Sequence, residues 1–245
     1  MRAMTTRAKT ADKLPAPFLK WAGGKTRLLA DLRRCVAMAG GFGAYHEPFV
    51  GGGALFFDLY RSGALAKRKA CLSDGNPRLI EAYLGVRDHV EEVICLLQEH
   101  TLAHGKDHYY ATRAAAPGTV AERAARIIYL NRTCFNGLYR ENRQGQFNVP
   151  MGDYKNPRIC DAENLRAAAA ALQGNEVACR SFEAVLEKAE PGDLVYFDPP
   201  YNPVSKTASF TAYSKDVFGA SEQRTLAGVM RQLTQKGVRV LLSNS

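Results

Sequence analysis

Short apolar runs alternate with amphipathic segments over most of the chain. The runs that have the length and composition of strands buried on both faces are 43–50, 68–74, 175–181, 193–198 and 238–244. The segments between them that are predicted to be helices are 54–63, 77–100, 162–172 and 221–235. Strands that alternate with helices predict an α/β fold, with one parallel sheet covered by helices on both faces.

The middle of the chain departs from this alternation. After its helices comes the segment NRTCFNGLYRENRQGQFNVPMGDYKNP (131–157), which is rich in Asn, Gly, Arg and aromatic residues. Such a composition buries little apolar surface and is typical of a binding hairpin or loop. We therefore predict that 76–160 is an insertion between two parts of a sheet domain, 15–75 and 161–245. Residues 1–14 are predicted to be a disordered N-terminus.

The charge of the chain indicates a polyanionic partner. The 245 residues carry a net charge of +9, and the sequence pI is about 9.3. Such a surface attracts nucleic acid first and acidic membranes second. The charge alone fits equally well a basic protein that has no specific partner.

Several features bear on the location of the protein. The basic, polar N-terminus has no apolar core and is not a secretory signal, and no apolar stretch approaches the roughly 20 residues of a membrane helix. The six cysteines are scattered without a CxxC pair, which argues against a zinc site or a disulfide framework. A cytoplasmic protein with reduced thiols is expected. The chain ends directly after its last predicted strand, so we also expect it to be a shortened version of a longer protein.

Two glycine-containing segments suggest a ligand site. FLKWAGGKT (18–26) is not a phosphate-binding P-loop, because Leu19 stands where that motif requires glycine. Trp21 could still pack on an adenine or a cation, and Lys25 could bind a carboxylate. The same residues suit a capped helix start with a core tryptophan.

The second segment is EPFVGGG (47–53), a strand end followed by a glycine turn. Phe56 stands where the dinucleotide fingerprint needs its third glycine, which excludes an NAD site of that kind. The turn can nevertheless admit a nucleoside at the carboxyl ends of the strands. Asp74 ends the next strand and could accept hydrogen bonds from ribose hydroxyls, although an Asp in SDGN also suits a simple turn. Together these segments suggest a nucleoside cofactor without a triphosphate.

The stretch DLVYFDPPYN (193–202) ends a predicted strand on a carboxylate, two prolines and a tyrosine. Asp198, with an ordinary pKa of about 3.9, cannot deprotonate a neutral aromatic amine. It can accept one hydrogen bond from such an amine, and the carbonyl of Pro199 can accept the other. Pro200 stiffens the corner and Tyr201 can stack on the base. The stretch indicates a site that holds an amino-bearing ring, while a rigid loop with a strand-capping Asp is the alternative.

Three histidines recur four residues apart, at His100, His104 and His108. A helix face of this kind can hold zinc. Gly105 interrupts the helix, however, and no HExxH pattern is present. We interpret the segment as a solvated connector and expect no metal.

With these motifs identified, the chain resembles the Dam-type DNA adenine-N6 methyltransferases of the D12 class, alpha group. The shared motifs, in the order of that family, are WAGGK (21–25), EPFVGGG (47–53), SDGN (73–76), NGLYRENRQGQFNVPMG (136–152) and DPPY (198–201). The resemblance covers about 15–245. It implies a Rossmann-like S-adenosylmethionine-dependent methyltransferase sheet, in which 15–75 and 161–245 form the catalytic domain. The insertion 76–160 is then the target-recognition domain.

The resemblance also implies roles for individual residues. The residues expected to contact S-adenosylmethionine are Trp21, Lys25, Phe49, Gly51, Asp74 and Asp198. The residues expected to act on the amino group are Asp198, Pro199, Pro200 and Tyr201. Those expected to contact DNA are Phe135, Asn136, Leu138 and Arg140. Phe135 would enter the base stack at a position where the family commonly has Tyr.

The implied activity is methylation of adenine in double-stranded DNA, with GATC as the expected site and no metal. A monomer is expected, located in the cytoplasm with the nucleoid, in DNA replication or restriction-modification. Two alternatives are open, a catalytically silent DNA-binding module and a cytosine-N4 methyltransferase. Asp rather than Ser at position 198 favours adenine by the family pattern.

Overall fold

Among the described residues, five parallel strands form one sheet. The structure, a computed structural model, describes residues 14–21, 23–200 and 218–243 of the chain. The strands are β1 (Tyr45–Glu47), β2 (Ala70–Asp74), β3 (Glu176–Cys179), β4 (Leu194–Phe197) and β5 (Arg239–Leu242). Their order across the sheet is β3-β2-β1-β4-β5, and every neighbouring pair is parallel. The predicted α/β class with a Rossmann-like parallel sheet is confirmed, although each strand is shorter than the apolar run that predicted it.

Helices surround this sheet. Those of the described residues are α1 (Leu29–Met38), α2 (Ala54–Arg61), α3 (Pro77–Asp88), α4 (Val90–Leu102), α5 (Lys106–Ala114), α6 (Val120–Thr133), α7 (Ala162–Leu172), α8 (Val185–Lys188) and α9 (Ala220–Gln235). The prediction of one helix over 77–100 is wrong, because His89 leaves the helical region (φ −136°, ψ 36°) and separates α3 from α4. A one-residue break hardly alters the spacing of apolar positions, so periodicity did not reveal it.

The core lies on both faces of the sheet, and β4 supplies residues to each face. Leu194 and Tyr196 belong to the larger apolar cluster. Val195 and Phe197 belong to a second cluster, which α8 and α9 complete. Side chains alternate between faces along a strand, so a strand covered on both sides is apolar at every position. This explains the uninterrupted apolar run LVYF at 194–197.

The strand order reverses between β1 and β4. From β1 the chain proceeds to β2 and then β3 on one side, whereas β4 and β5 lie on the other side. In open parallel sheets, the loops that leave two such strands diverge and create a crevice at their carboxyl ends. The crevice here is bordered by the glycine turn after β1 and by Asp198 after β4.

The helices between β2 and β3 connect the sheet to the recognition segment. α3 packs against α6, α7 and β3. The domain boundary at residue 76 stays a prediction.

The three histidines of the segment are half-buried around Tyr129 rather than solvated, and Nδ1 of His100 lies 2.8 Å from Nε2 of His108. In the described ranges, no helix has both the length and the apolar character needed to cross a bilayer.

Candidate active site at the carboxyl edge of the sheet

A buried ion pair joins the first glycine segment to the end of β4. Nζ of Lys25 lies 2.6 Å from Oδ1 of Asp198, and the two side chains are 6% and 18% exposed. Nζ of Lys25 also donates to the carbonyl of Gly23 at 2.8 Å. Burial raises the pKa of Asp198, while the hydrogen bond and the charge of Lys25 oppose that rise. Lys25 therefore favours the carboxylate form of Asp198.

The rest of the DPPY motif is described only in part. Pro199 is buried and Pro200 is exposed. Tyr201 lies outside the described residues, so its predicted stacking role stays a prediction. Two adjacent prolines fix the backbone that leaves β4 and donate no hydrogen bonds.

The glycine turn after β1 packs directly on Trp21. Gly51 has φ of +47°, and a Cβ at this position would lie 2.9 Å from Cδ1 of the indole. The hydroxyl of Tyr83 donates to the carbonyl of Gly51 at 3.0 Å. A Cβ at Gly53, whose φ is +67°, would approach that hydroxyl to 2.7 Å. Glycine is required at both positions because the backbone is left-handed and no space remains for a side chain.

Asp74 at the end of β2 is tied to this turn. Its Oδ2 accepts from the backbone N–H of Gly51 at 3.2 Å, and its Oδ1 accepts from that of Asn76 at 2.9 Å. Burial raises the pKa of Asp74 to about 6, against the lowering effect of these N–H donors. An ionised carboxylate can accept about four hydrogen bonds, so Asp74 can still accept bonds from a ligand.

Sequence reasoning missed a third carboxyl group in this region, that of Glu47 at the end of β1. Glu47 is 2% exposed and accepts a hydrogen bond from the hydroxyl of Tyr45 at 2.9 Å. Burial raises its pKa to about 8, and the charges of Asp198 and Asp74 add to the rise. At neutral pH the group is mostly protonated, so it adds little negative charge beside the two aspartates. The sequence shows that Glu47 begins the EPF stretch, but it does not show that the side chain is buried.

Phe49 borders the site from the other face of the sheet. Its ring stacks on Phe182 at 5.3 Å between centroids, and it contacts Phe197 and Phe218 edge-on. These rings pack with the second apolar cluster, whereas Trp21 packs with the first. The two aromatic residues predicted to contact the cofactor therefore approach the crevice from opposite faces. Phe182, which follows β3, was not among the predicted residues.

The predicted recognition hairpin begins at the end of α6. Cys134 pairs with Met151 and Glu141 pairs with Phe147 as antiparallel bridges. Phe135 stands at the start of the hairpin and is 51% exposed, which is unusual for so large an apolar side chain. Asn136 follows with φ of +53°, a left-handed conformation that Asn tolerates better than most residues.

Arg140 is held across the hairpin by a residue that sequence reasoning did not identify. Its Nε donates to Oδ1 of Asn148 at 2.7 Å, and its Nη2 lies 3.4 Å from the Asn148 carbonyl. Arg140 and the nearby Leu138 are both half-buried. Because the Nε edge is occupied by Asn148, the guanidinium has a fixed orientation and its Nη1 edge faces elsewhere.

A buried asparagine links this hairpin to the crevice. The side chain of Asn131 in α6 is 2% exposed and is hydrogen-bonded at both its oxygen and its nitrogen. Its Oδ1 accepts from the N–H of Lys20 at 2.7 Å, and its Nδ2 donates to the carbonyls of Lys20 and Gly137 at 2.7 and 3.1 Å. The segment before Trp21 and the turn after Phe135 are thus fixed to the same helix. The structure brings together, in one region, the glycine segments, Asp74, Asp198 and the base of the hairpin.

No metal-type cluster accompanies these residues. In the part of the chain that the structure describes, no group of three or more His, Cys, Asp or Glu side chains is arranged to hold a metal ion. The three histidines around Tyr129 lie in α4, in α5 and in the connection between these helices.

Comparison with known proteins identifies the family of this chain. The family model for the D12 class N6 adenine-specific DNA methyltransferases matches residues 21–245. The Type II methyltransferase M1.LlaDCHI of Lactococcus lactis subsp. cremoris is 43% identical over 237 residues, which are 94% of this chain and 81% of the relative.

Two further relatives extend the comparison to other organisms. The Type II methyltransferase M.MjaIII of Methanocaldococcus jannaschii is 40% identical over 94% of this chain and 84% of its own length. A DNA adenine methylase of Serratia marcescens is 37% identical over 93% of this chain and 82% of its own length. The chain belongs to the D12 class of N6 adenine-specific DNA methyltransferases.

Proposed function

We propose that this enzyme transfers a methyl group from S-adenosylmethionine to N6 of an adenine that has been flipped out of duplex DNA, with GATC as its site. The observation that carries the proposal is the buried pair of Lys25 and Asp198, 2.6 Å apart, at the carboxyl end of β4. It lies where the strand order reverses, the position at which open α/β sheets bind ligands. Membership of an adenine-specific enzyme class sets aside the cytosine-N4 and the catalytically silent alternatives.

The charges at the crevice fit this methyl donor. The carboxylates of Asp74 and Asp198 together outweigh the cation of Lys25, and Glu47 is mostly neutral. A net negative site suits a ligand that carries an ammonium and a sulfonium group. When bound, the donor supplies an electrophilic methyl group. Asp74 is proposed to accept hydrogen bonds from its ribose hydroxyls.

The remaining proposed contacts surround the same space. Trp21 and Gly51 pack on each other at one wall, and Phe49 stands at the opposite wall with its aromatic neighbours. Lys25 contributes a cation for the carboxylate of the donor. Its hydrogen bond and its charge also favour the ionised form of Asp198.

Asp198 and Pro199 act on the adenine amino group by position rather than by removing a proton beforehand. The lone pair of that amine is delocalised into the ring, so the amine is a poor nucleophile. One N–H donates to the carboxylate of Asp198 and the other to the carbonyl of Pro199, which directs the lone pair toward the methyl group. The nitrogen–carbon bond would form as the bond between the methyl group and sulfur breaks, so that the donor leaves as a neutral thioether. The methylated nitrogen is strongly acidic and would then lose its proton to solvent. Tyr201 stacks on the base and Pro200 stiffens the loop. This is catalysis by orientation and matched electrostatics.

The hairpin provides the contacts to DNA. An adenine in a duplex must leave the stack before its amino group can reach the crevice. The half-exposed ring of Phe135 fills the space that the base vacates. Asn136, Leu138 and Arg140 contact the neighbouring bases, and Arg140, oriented by Asn148, reads a guanine.

Other parts of the expected picture remain predictions. They are the assignment of 76–160 as the target-recognition domain and of 15–75 and 161–245 as the catalytic domain, a monomeric state, and a cytoplasmic location with the nucleoid. The excess of Lys and Arg supplies sequence-independent contacts to phosphates.

The test is methyl transfer by an Asp198→Ala variant. Labelled methyl groups are counted on a duplex with one GATC site, and modified positions are mapped on a plasmid. We expect the wild type to modify adenine in GATC, and the variant to lose about 100-fold or more in kcat while cofactor binding stays measurable. Asp31→Ala, which removes an exposed carboxylate of α1, is the matched control and keeps full activity. Wild-type turnover by Asp198→Ala would refute the mechanism, and modification at unrelated sequences would refute the site.

A further inference from the structure

Tyr139 occupies an unexpected place within the recognition hairpin. It stands between Leu138 and Arg140, the two residues proposed to contact bases. Those neighbours are half-buried, whereas Tyr139 is 3% exposed. Alternation along an extended backbone places successive side chains on opposite sides. Tyr139 therefore points into the protein, whereas Leu138 and Arg140 lie on the side of the segment that is proposed to face DNA.

The ring of Tyr139 contacts the glycine segments through Trp21. Its centroid lies 5.2 Å from that of Trp21 with the planes inclined by 33°, and 5.7 Å from that of Phe147 across the hairpin. Trp21 in turn fills the space over Gly51, where no Cβ could fit. A direct line of packed groups thus runs from the hairpin to the turn that is proposed to hold the cofactor.

The hydroxyl of Tyr139 lies near Asn76, which is bonded to Asp74. It donates to Oε1 of Glu141 in the hairpin, and the side chain of Asn76 is near enough to oppose the rise of its pKa. Burial raises the pKa of Tyr139 well above its ordinary value, so the hydroxyl remains a donor. The backbone N–H of Asn76 donates to Oδ1 of Asp74 at 2.9 Å. One side chain of the hairpin therefore packs on Trp21 and lies near the residue whose backbone bonds to Asp74.

We propose that Tyr139 is a positioning residue that couples the cofactor pocket to the recognition hairpin, so that each ligand strengthens the binding of the other. The proposal rests on the function proposed above, because it requires that Trp21 and Asp74 contact S-adenosylmethionine and that the hairpin contacts DNA. Trp21 and Asn76 each lose freedom when the pocket is filled. Since Tyr139 packs on Trp21 and lies near Asn76, the hairpin is then already ordered when DNA arrives, and less entropy is lost on binding DNA.

Such coupling is reciprocal. If bound cofactor tightens DNA binding by some factor, bound DNA tightens cofactor binding by the same factor. Couplings of this kind are commonly about 5- to 150-fold. The coupling factor depends on the link between the two sites. A variant can therefore change this factor without changing the affinity of either site for its own ligand.

The experiment measures this factor with S-adenosylhomocysteine, an unreactive relative of the donor, and a duplex with one GATC site. Titration calorimetry gives the Kd of S-adenosylhomocysteine without DNA and with saturating DNA. We expect the wild type to bind at least about fivefold more tightly when DNA is present. Tyr139→Leu, which lacks both the ring and the hydroxyl, is expected to show a factor close to one.

Two further variants separate coupling from stability. Tyr139→Phe keeps the ring over Trp21 but loses the hydrogen bond to Glu141, and we expect an intermediate factor. Tyr109→Phe is the matched control. The hydroxyl of Tyr109 is equally buried and donates to the carbonyl of Val149 in the same hairpin at 2.9 Å. Its ring packs on Tyr110 and Tyr129. The control is expected to lose stability, seen as a lower Tm, while the wild-type factor is retained.

Each outcome decides the proposal. A wild-type factor near one, or wild-type coupling in both Tyr139 variants, would overturn it while the proposed function stands. Loss of coupling in Tyr109→Phe would also overturn it, because coupling would then follow hairpin stability in general. Should Tyr139→Leu fail to fold, Tyr139→Phe alone decides. Absence of S-adenosylhomocysteine binding or of methyl transfer by the wild type would refute the proposed function itself, and the coupling with it.

Discussion

Replacing Glu47 by glutamine should change how the stability of the enzyme depends on pH. The pKa of this buried carboxyl is raised from 4.5 to about 8 by burial. Because the folded state holds the proton more tightly than the unfolded state, this group favours folding fully below pH 4.5. That contribution is lost as the pH rises through 8. A glutamine side chain at this position would keep the shape and the hydrogen-bonding oxygen but would not titrate.

The magnitude follows from the shift. One pKa unit corresponds to about 1.36 kcal/mol, so the contribution of Glu47 to the unfolding free energy is lower than at acidic pH by about 3 kcal/mol at pH 7 and by about 5 kcal/mol above pH 8. The difference in unfolding free energy between Glu47→Gln and the wild type should therefore move in favour of the variant by about 4 kcal/mol between pH 5 and pH 9. Other titrating groups are common to both proteins and cancel in the difference.

Urea unfolding at pH 5, 7 and 9 measures this difference. Glu99→Gln, the same change on the exposed side of α4, is the matched control and should give a difference that hardly varies with pH. A flat difference for Glu47→Gln would show that Glu47 is already ionised in the folded enzyme at pH 5. The argument that burial keeps this carboxyl neutral beside Asp74 and Asp198 would then be wrong.

Three further predictions concern activity. Lys25→Met removes the cation beside Asp198, so the pKa of Asp198 should rise further, and the acidic limb of the pH profile of kcat/KM should move upward; an unchanged profile contradicts the proposed role of Lys25. Arg140→Ala should reduce discrimination between GATC and altered sites by about tenfold or more, with a smaller loss of total DNA binding. Asn148→Ala should act in the same direction because it orients Arg140. Equal loss on all sequences would count against base reading.

Local patterns predicted much of this fold. The alanine-rich segment 162–172 is helix α7 over the same residues, and each of the five apolar runs contains a strand. Helix α6 ends at Thr133, just before the motif NGLYRENRQGQFNVPMG (136–152). These features depend on the spacing of apolar residues and on glycine positions, which the chain displays directly.

The residues that connect the site were not predicted, because their partners are distant in the chain. Asn131 bonds to Lys20, 111 positions away, and Tyr139 packs on Trp21. An Asn or a Tyr in a polar segment carries no local sequence signal for a contact with so distant a residue. The buried state of Glu47 likewise depends on what covers the end of β1.

The sequence by itself determined the family, the parallel α/β class and the order of the motifs, since these depend on residue identity and short-range spacing. Only the tertiary structure decided that Lys25 meets Asp198, that Glu47 is buried beside Asp74 and Asp198, and that Tyr139 joins the hairpin to the pocket. The physical reason is that burial and charge pairing arise from groups brought together by folding. The free energies that set a pKa or a coupling are therefore absent from any single segment of the chain.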